Sequence, residues 1–352
     1  MKKNLTRNTE MRILVIRLSA MGDVALTLPV LRAVRKQYPF AVITVLTKKA
    51  FAPFFITEDN AFRVVIPDLN GRHKGIVGLF RLFIDLRSEI KPDRVIDLHN
   101  VIRTRLLGLL FRACRIPVHI INKGRAEKRR LVKGVSRKTL DHTVTRYARV
   151  FREAGFNIDP VKEPSLDSIA IIPGWLLSSI DLPAPLIGVA PYAKHILKEW
   201  PEDYMIRLLN LIGERTRAVF CLFGGRDEIP RIEALSAKVK GSVSLAGKLS
   251  LEVELALMKR LDLMIAMDSS NMHMAALSGT KVISIWGATD PSAGFGAWSQ
   301  PEEYSVLVPA TELSCRPCTI YGKGTCRRGD IACLVHLTPE MVFNKMVDLK
   351  LI

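Results

Sequence analysis

Apolar residues fall into short uninterrupted runs separated by stretches of helical period. Within Arg12–Arg17, the β-branched run Ile13-Leu14-Val15-Ile16 is closed by the small, polar turn Ser19-Ala20-Met21-Gly22-Asp23, which reads as a strand and then a turn. Ala25, Leu28, Leu31, Ala33, Val34 and Tyr38 recur at helical spacing before Pro39, and Ala41–Thr47 returns to a strand-like run, completing a βαβ unit. Arg94–Leu98 and the helical segment Val101–Arg112 repeat the pattern. Strands without polar alternation are buried on both faces, as in a parallel sheet covered by helices.

The periodicity breaks between 157 and 185, where Pro160, Pro164, Pro173, Pro183 and Pro185 cluster. Beyond it the alternation restarts with strands at Leu186–Ala190, Ala218–Phe223, Leu263–Ala266 and Val282–Trp286. Helical segments fall at Glu202–Gly213, Ile229–Lys240, Leu251–Arg260 and Met272–Ser278. The expected division is a first Rossmann-like domain over 1–172, a linker over 173–185, a second such domain over 186–336 and a C-terminal helix over 337–352. Ligands of such sheets bind beyond the carboxyl ends of the strands, so two facing doubly wound domains predict an interdomain cleft.

A chain of 352 residues suits two domains at roughly 100–200 residues each. Its longest charge-free stretch, Ser168–Ile180, falls short of the roughly 20 apolar residues of a spanning helix, and no signal-peptide pattern opens the chain. The expected location is the cytoplasm. The formal net charge of +18 attracts anionic partners. It is densest over Lys123–Lys138, where Arg125, Lys128, Arg129, Arg130 and Lys133 are opposed only by Glu127. That segment has no aromatic residue on which a nucleic-acid base could stack, so it reads as a solvated face or as a patch for a phosphate-rich or membrane-surface partner rather than for nucleic acid.

Candidate chemistry sits at strand ends. Asp23 is placed either as a carboxylate at the cleft or as a cap on the following helix, and the absence of G-x-G-x-x-G here disfavours a dinucleotide-binding dehydrogenase. Asp268-Ser269-Ser270-Asn271, between a strand and a helix carrying His273, points amides and a helix dipole at an anion and also suits capping. Lys194 and Lys198 follow another strand, where a lysine can hold a diphosphate or simply face solvent. Gly224-Gly225, with Asp227 and Glu228, offers amides and carboxylates for a nucleotide. Cys315, Cys318, Cys326 and Cys333 are spaced as structural-zinc ligands, whereas Cys114 and Cys221 read as buried small hydrophobes. A reducing cytoplasm argues against disulfides.

Taken in order, Ser19–Val24, Lys198-Glu199-Trp200-Pro201, Leu245-Ala246-Gly247-Lys248, Asp268–His273 and Trp286-Gly287-Ala288-Thr289-Asp290-Pro291 resemble glycosyltransferase family 9. That family comprises the ADP-heptose:lipopolysaccharide heptosyltransferases and their relatives. The resemblance implies a GT-B fold, a nucleotide-sugar donor such as ADP-heptose in the C-terminal domain, and inverting transfer without a catalytic metal. It gives Asp23 the part of general base and Lys198 that of neutralising the departing diphosphate. Asp268, Ser269, Ser270, Asn271 and His273 fall on its donor site, with Ser270 where the family usually has Gly. The implied acceptor is a lipopolysaccharide-core glycan or related anionic glycolipid at the inner leaflet of the inner membrane. The alternatives are a non-catalytic nucleotide- or glycan-binding protein of the same fold and a transferase using another nucleotide sugar.

Overall fold

The computed structural model describes residues 10–180 and 183–352. They divide into two compact units, one formed by the chain up to Lys123 with Thr143–Ile169, the other by Gly124–His142 with Ala170–Ile352.

The first unit holds strands β1 (Met11–Ile16), β2 (Ala41–Leu46), β3 (Phe62–Val65), β4 (Arg94–Asp97) and β5 (Val118–Ile120). They form one parallel sheet in the order β3-β2-β1-β4-β5, with Ile13 opposite Ile43 and Leu14 opposite Val95. Helices α1 (Met21–Ala25), α2 (Leu28–Gln37), α3 (Gly75–Glu89) and α4 (Ile102–Ala113) connect the strands. Residues 13–16 of β1 are fully buried, as an apolar run covered on both faces requires. Leu82, Leu86, Leu107 and Phe111 of α3 and α4 share one core with Leu14 and Ile16 of the sheet.

The chain then forms α5 (Arg125–Val132), which belongs to the second unit, and α6 (Thr143–Glu153), which belongs to the first. Residues 124–142, expected with the first domain, thus cluster with the second. Arg137 donates to the carbonyls of Ser314, at 2.8 Å, and Arg316, and Leu140 N donates to Ser292 O at 2.8 Å. Lys128 is buried with its Nζ 3.9 Å from the centre of the Phe295 ring, so this member of the expected basic patch is withdrawn from the surface. Arg125, Arg129, Arg130 and Lys133 are exposed.

The second unit carries α7 (Gly174–Ile180), inside the expected linker, and six strands: β6 (Leu186–Ala190), β7 (Val219–Leu222), β8 (Ser242–Ser244), β9 (Leu263–Met267), β10 (Lys281–Trp286) and β11 (Ser305–Leu307). They run parallel in the order β11-β10-β9-β6-β7-β8. Helices α8 (Glu202–Thr216), α9 (Ile229–Ser236), α10 (Leu251–Met258), α11 (Ser270–Leu277), α12 (Ala332–Val335) and α13 (Pro339–Asp348) complete it. The C-terminal segment belongs to this core: Val342 and Met346 of α13 are fully buried with Leu208 and Leu209 of α8.

Each sheet reverses its direction of winding once. In the first unit the chain moves outward from β1 to β3 and then returns beside β1 as β4; in the second it moves from β6 to β8 and returns beside β6 as β9. At such a switch the two neighbouring loops diverge to opposite faces and leave a crevice at the carboxyl ends. The loops in question begin at residues 17 and 98 in one unit and at 191 and 268 in the other. They carry Asp23, Lys198 and Asp268.

Candidate active site

At the first switch, Asp23 stands in the first turn of α1, with its Oδ2 2.5 Å from Nη2 of Arg17 and 3.4 Å from the Ala20 amide. The carboxylate turns back toward the helix start, as a capping residue does, and also faces a cation. Arg17 is buried, donates to Leu98 O at 2.5 Å and lies 5.8 Å from the centre of the Tyr147 ring. Burial works against its charge, but Tyr147 and Asp23 outweigh that and its pKa moves up. Tyr147, on α6, donates to Asp23 O at 3.1 Å and fixes the turn from behind.

The loop after β4 adds a residue that the sequence reading passed over. Asp97 is fully buried and accepts from the amides of His99 and Asn100, both at 2.8 Å, and from Thr104 Oγ1 at 2.8 Å. This collar holds His99 with its Nε2 3.3 Å from Ser19 Oγ, while its buried Nδ1 has no hydrogen-bond partner among the described residues. Desolvation, with Arg17 and Lys123 adding to it, pushes the His99 pKa down to about 4, so the ring is neutral at pH 7. Its position just past the carboxyl end of the strand-like run Arg94–Leu98 was the available signal.

The lowered His99 pKa makes stability pH-dependent with a definite sign. An unfolded histidine takes up a proton near pH 6.5, but the folded one resists until about 4, so this contribution is complete above 6.5 and disappears as pH falls to 4. Glu254, raised by burial to about 7, works in the opposite direction between about 4.5 and 7. The His99 share is therefore read by difference: the fall in urea midpoint from pH 7 to pH 4.5 should be smaller in His99→Asn than in the parent protein.

At the second switch, Lys198 Nζ lies 2.7 Å from Asp268 Oδ2 and 3.2 Å from Asp268 O. Thr289 Oγ1 donates to the same Oδ2 at 2.8 Å. The local sequence explains this placement. Trp200 is buried and donates to the carbonyls of Leu334, at 3.2 Å, and Leu337, at 2.9 Å, which anchors one end of the lysine's loop. Glu199 pairs with Arg231 at 3.0 Å. Gly322, at φ +77, brings its backbone so close that a Cβ there would stand 2.6 Å from Lys198 Cγ.

Asp268 follows the fully buried β9, and Ser269 stands at the N-cap of α11 with extended backbone. Ser269 Oγ is buried with no hydrogen-bond partner among the described residues, beside the first-turn amides of Ser270 and Asn271. An ammonium, a hydroxyl and helix-terminal amides are the donor types that phosphate oxygens accept from. His273 is buried within α11, one turn along. At the end of β7, Glu228 accepts from the Gly225 amide at 2.6 Å and closes the turn, leaving Asp227 exposed; Lys194 is also exposed in its loop.

The turn after β10 is held from below by Arg316. Its buried guanidinium donates to Gly287 O and Thr289 O, both at 2.8 Å, and to Val308 O, and it lies 3.7 Å from Asp290 Oδ2. Because Thr289 in turn restrains Asp268, Arg316 positions the lysine site from a distance. Arg316→Met leaves three buried carbonyls without donors, and at about 1–3 kcal/mol each the expected loss of stability is at least about 3 kcal/mol, measured by urea denaturation.

No zinc site is confirmed among the described residues at Cys315, Cys318, Cys326 and Cys333. All four cysteines are free and line one cavity of about 20 Å³, but among the described residues no three metal-capable side chains are arranged to hold an ion. Cys333 and Cys318 instead pack with the core of the second unit, and burial raises both thiols, Cys333 to about 11. Cys221 is buried as expected and pushed up to about 12.

The family model described as glycosyltransferase family 9 (heptosyltransferase) matches residues 80–320, more than half of the chain. The chain belongs to glycosyltransferase family 9. It is 24% identical to lipopolysaccharide heptosyltransferase 1 of Pseudomonas aeruginosa, over 96% of this chain and 97% of that protein. Among solved structures it resembles a family 9 glycosyltransferase of Veillonella parvula, with a TM-score of 0.74 and 22% identity over 97% of each chain. It also resembles E. coli ADP-heptose lps heptosyltransferase II, with a TM-score of 0.68 and 17% identity over 96% of this chain and 98% of that one. The two doubly wound units are those of a GT-B glycosyltransferase, and the segments Ser19–Val24, Lys198–Pro201 and Asp268–His273 follow the strands at the two winding switches.

Proposed function

We propose that this family 9 glycosyltransferase transfers a heptose from ADP-heptose to a lipopolysaccharide-core acceptor, with inversion and without a catalytic metal. The observation that carries the reading is the anion receptor at the second switch, where Lys198, Ser269 Oγ and the first amides of α11 converge beside Asp268. A diphosphate seated there would give Lys198 a partner whose negative charge grows as the glycosidic bond breaks. ADP is chosen because family 9 relatives carry ADP-heptose in their names.

Asp23 then acts on the acceptor. Its carboxylate takes the proton from the attacking hydroxyl as that oxygen bonds to the anomeric carbon and ADP leaves with the bonding pair, so one displacement inverts the centre. Arg17 orients the carboxylate through one oxygen. Neutral His99 and Ser19 offer hydrogen bonds to the acceptor without adding charge. Lysine and helix-terminal amides supply the electrostatic stabilisation that a divalent ion provides in other transferases, and EDTA-washed protein is expected to keep its rate.

The direct test is to incubate the protein with ADP-heptose and heptose-free core lipopolysaccharide and weigh the product. A gain of one heptose, abolished in Asp23→Asn, is expected. Transfer from a UDP- or GDP-sugar, with none from ADP-heptose, would overturn the donor assignment.

A further inference from the structure

Helices α3 and α4 lie side by side over the same face of the first sheet, and both turn apolar residues outward. On α3, Leu79, Leu82 and Leu86 face the core, while Val77, Phe80 and Ile84 occupy the opposite face, Val77 with 66% of its surface exposed. On α4, Leu107 and Phe111 are buried, while Ile102, Leu106 and Leu109 face out, Ile102 at 79%. A surface helix in water does the reverse, burying its apolar stripe and exposing its charges. Apolar stripes on two neighbouring helices make a contiguous patch, and such patches mark interaction surfaces.

The borders of the patch identify what it meets. Arg81 and Arg87 are exposed on α3 and Arg103, Arg105 and Arg112 on α4; α4 carries no acidic residue. On α3, Asp85 is engaged by Arg72 at 2.7 Å and by His73 at 3.0 Å, which leaves Glu89 as the other carboxylate of that helix. At period 3.6, Arg105 and Arg112 flank the Ile102–Leu106–Leu109 stripe on one side and Arg103 flanks it on the other. Apolar side chains with cations at their edges fit the boundary between acyl chains and anionic headgroups. A second copy of this chain fits worse, because a two-fold contact would bring two arginine-bordered faces together with Glu89 as the carboxylate of α3 left to pair with them.

We infer that the α3–α4 face is a membrane-docking surface that inserts its apolar stripes into an anionic bilayer, with its arginines on lipid phosphates. The inference goes beyond the transfer reaction and uses none of its residues. It also assigns the surface role to this face and not to the basic segment over 123–138, where Lys128 is buried.

The test is co-sedimentation of the full chain with vesicles of phosphatidylglycerol and phosphatidylethanolamine, with phosphatidylcholine vesicles as the neutral reference. The parent protein is expected to bind the anionic vesicles and not the neutral ones. Each of Phe80→Ser and Leu109→Ser should weaken partitioning about tenfold. Arg81→Gln with Arg103→Gln should weaken it at 0.15 M salt, whereas Arg129→Gln with Arg130→Gln should leave it within about twofold. An unchanged urea midpoint and far-UV circular dichroism certify the fold of the first unit in each variant, and ADP titration into the same proteins separates failure of the docking face from failure of the donor site. Equal binding of parent and Phe80→Ser/Leu109→Ser proteins would overturn the inference. So would a parent dimer, seen by sedimentation velocity, that this double variant dissociates.

Discussion

Asp23→Asn is expected to lower turnover about 10²- to 10⁴-fold, the range a positioned general base contributes, while ADP affinity stays the same. The side chain keeps its size and its place in the first turn of α1, so the helix, Arg17 and Tyr147 retain their geometry. The change removes the capacity to take a proton and also the negative charge that faces the buried Arg17, so a lower urea midpoint is expected beside the kinetic loss. Single-turnover kinetics separate this from a capping defect, because a cap contributes about 0.5–2 kcal/mol of stability and would appear in the urea midpoint, not in the chemical step. A variant that turned over at the parent rate would leave Asp23 with capping alone.

Lys198→Met is expected to act on both binding and rate. The lysine is mostly buried and held at 2.7 Å from Asp268, so its removal takes away the positive charge facing the diphosphate and leaves Asp268 with Thr289 as its remaining side-chain partner. An electrostatic group aimed at charge that grows in the transition state contributes about 10²- to 10³-fold to the rate, and kcat should fall by that factor with weaker ADP binding beside it. Lys198→Arg is informative in contrast. It keeps the charge, but Gly322 packs against the lysine stem and leaves little room for a planar guanidinium, so partial rescue at most is expected.

Much of this arrangement was legible in the sequence because strand and turn are local properties. The apolar runs became β1, β2, β6, β9 and β10 within a residue or two, and each family motif named from the sequence lies at or beyond the end of a strand. Sheet order is not local. That the Lys198 and Asp268 loops are neighbours depends on β9 pairing with β6 after two intervening strands, which no window of the sequence displays. His99 was missed for the same reason: only the β1–β4 pairing brings it to Ser19.

Side-chain fates were the least legible. Lys128 reads as part of a basic run, yet Phe295, more than 160 positions away, draws it under the surface. The cysteine spacing alone does not show that Arg316, inside the first cysteine pair, turns toward the β10 turn, or that Cys318 and Cys333 pack with the apolar core while Cys315 is exposed. The outward faces of α3 and α4 show why a helical period alone does not tell which stripe is buried: both helices carry apolar residues on two sides, and contact with the sheet selects one.

Calorimetric titration of ADP, UDP, GDP and CDP into the parent protein and into Lys198→Met tests the proposed donor site most directly. The expected result is selective ADP binding that weakens strongly in the variant. Preference for another diphosphate, or ADP binding unaffected by loss of Lys198, would contradict it.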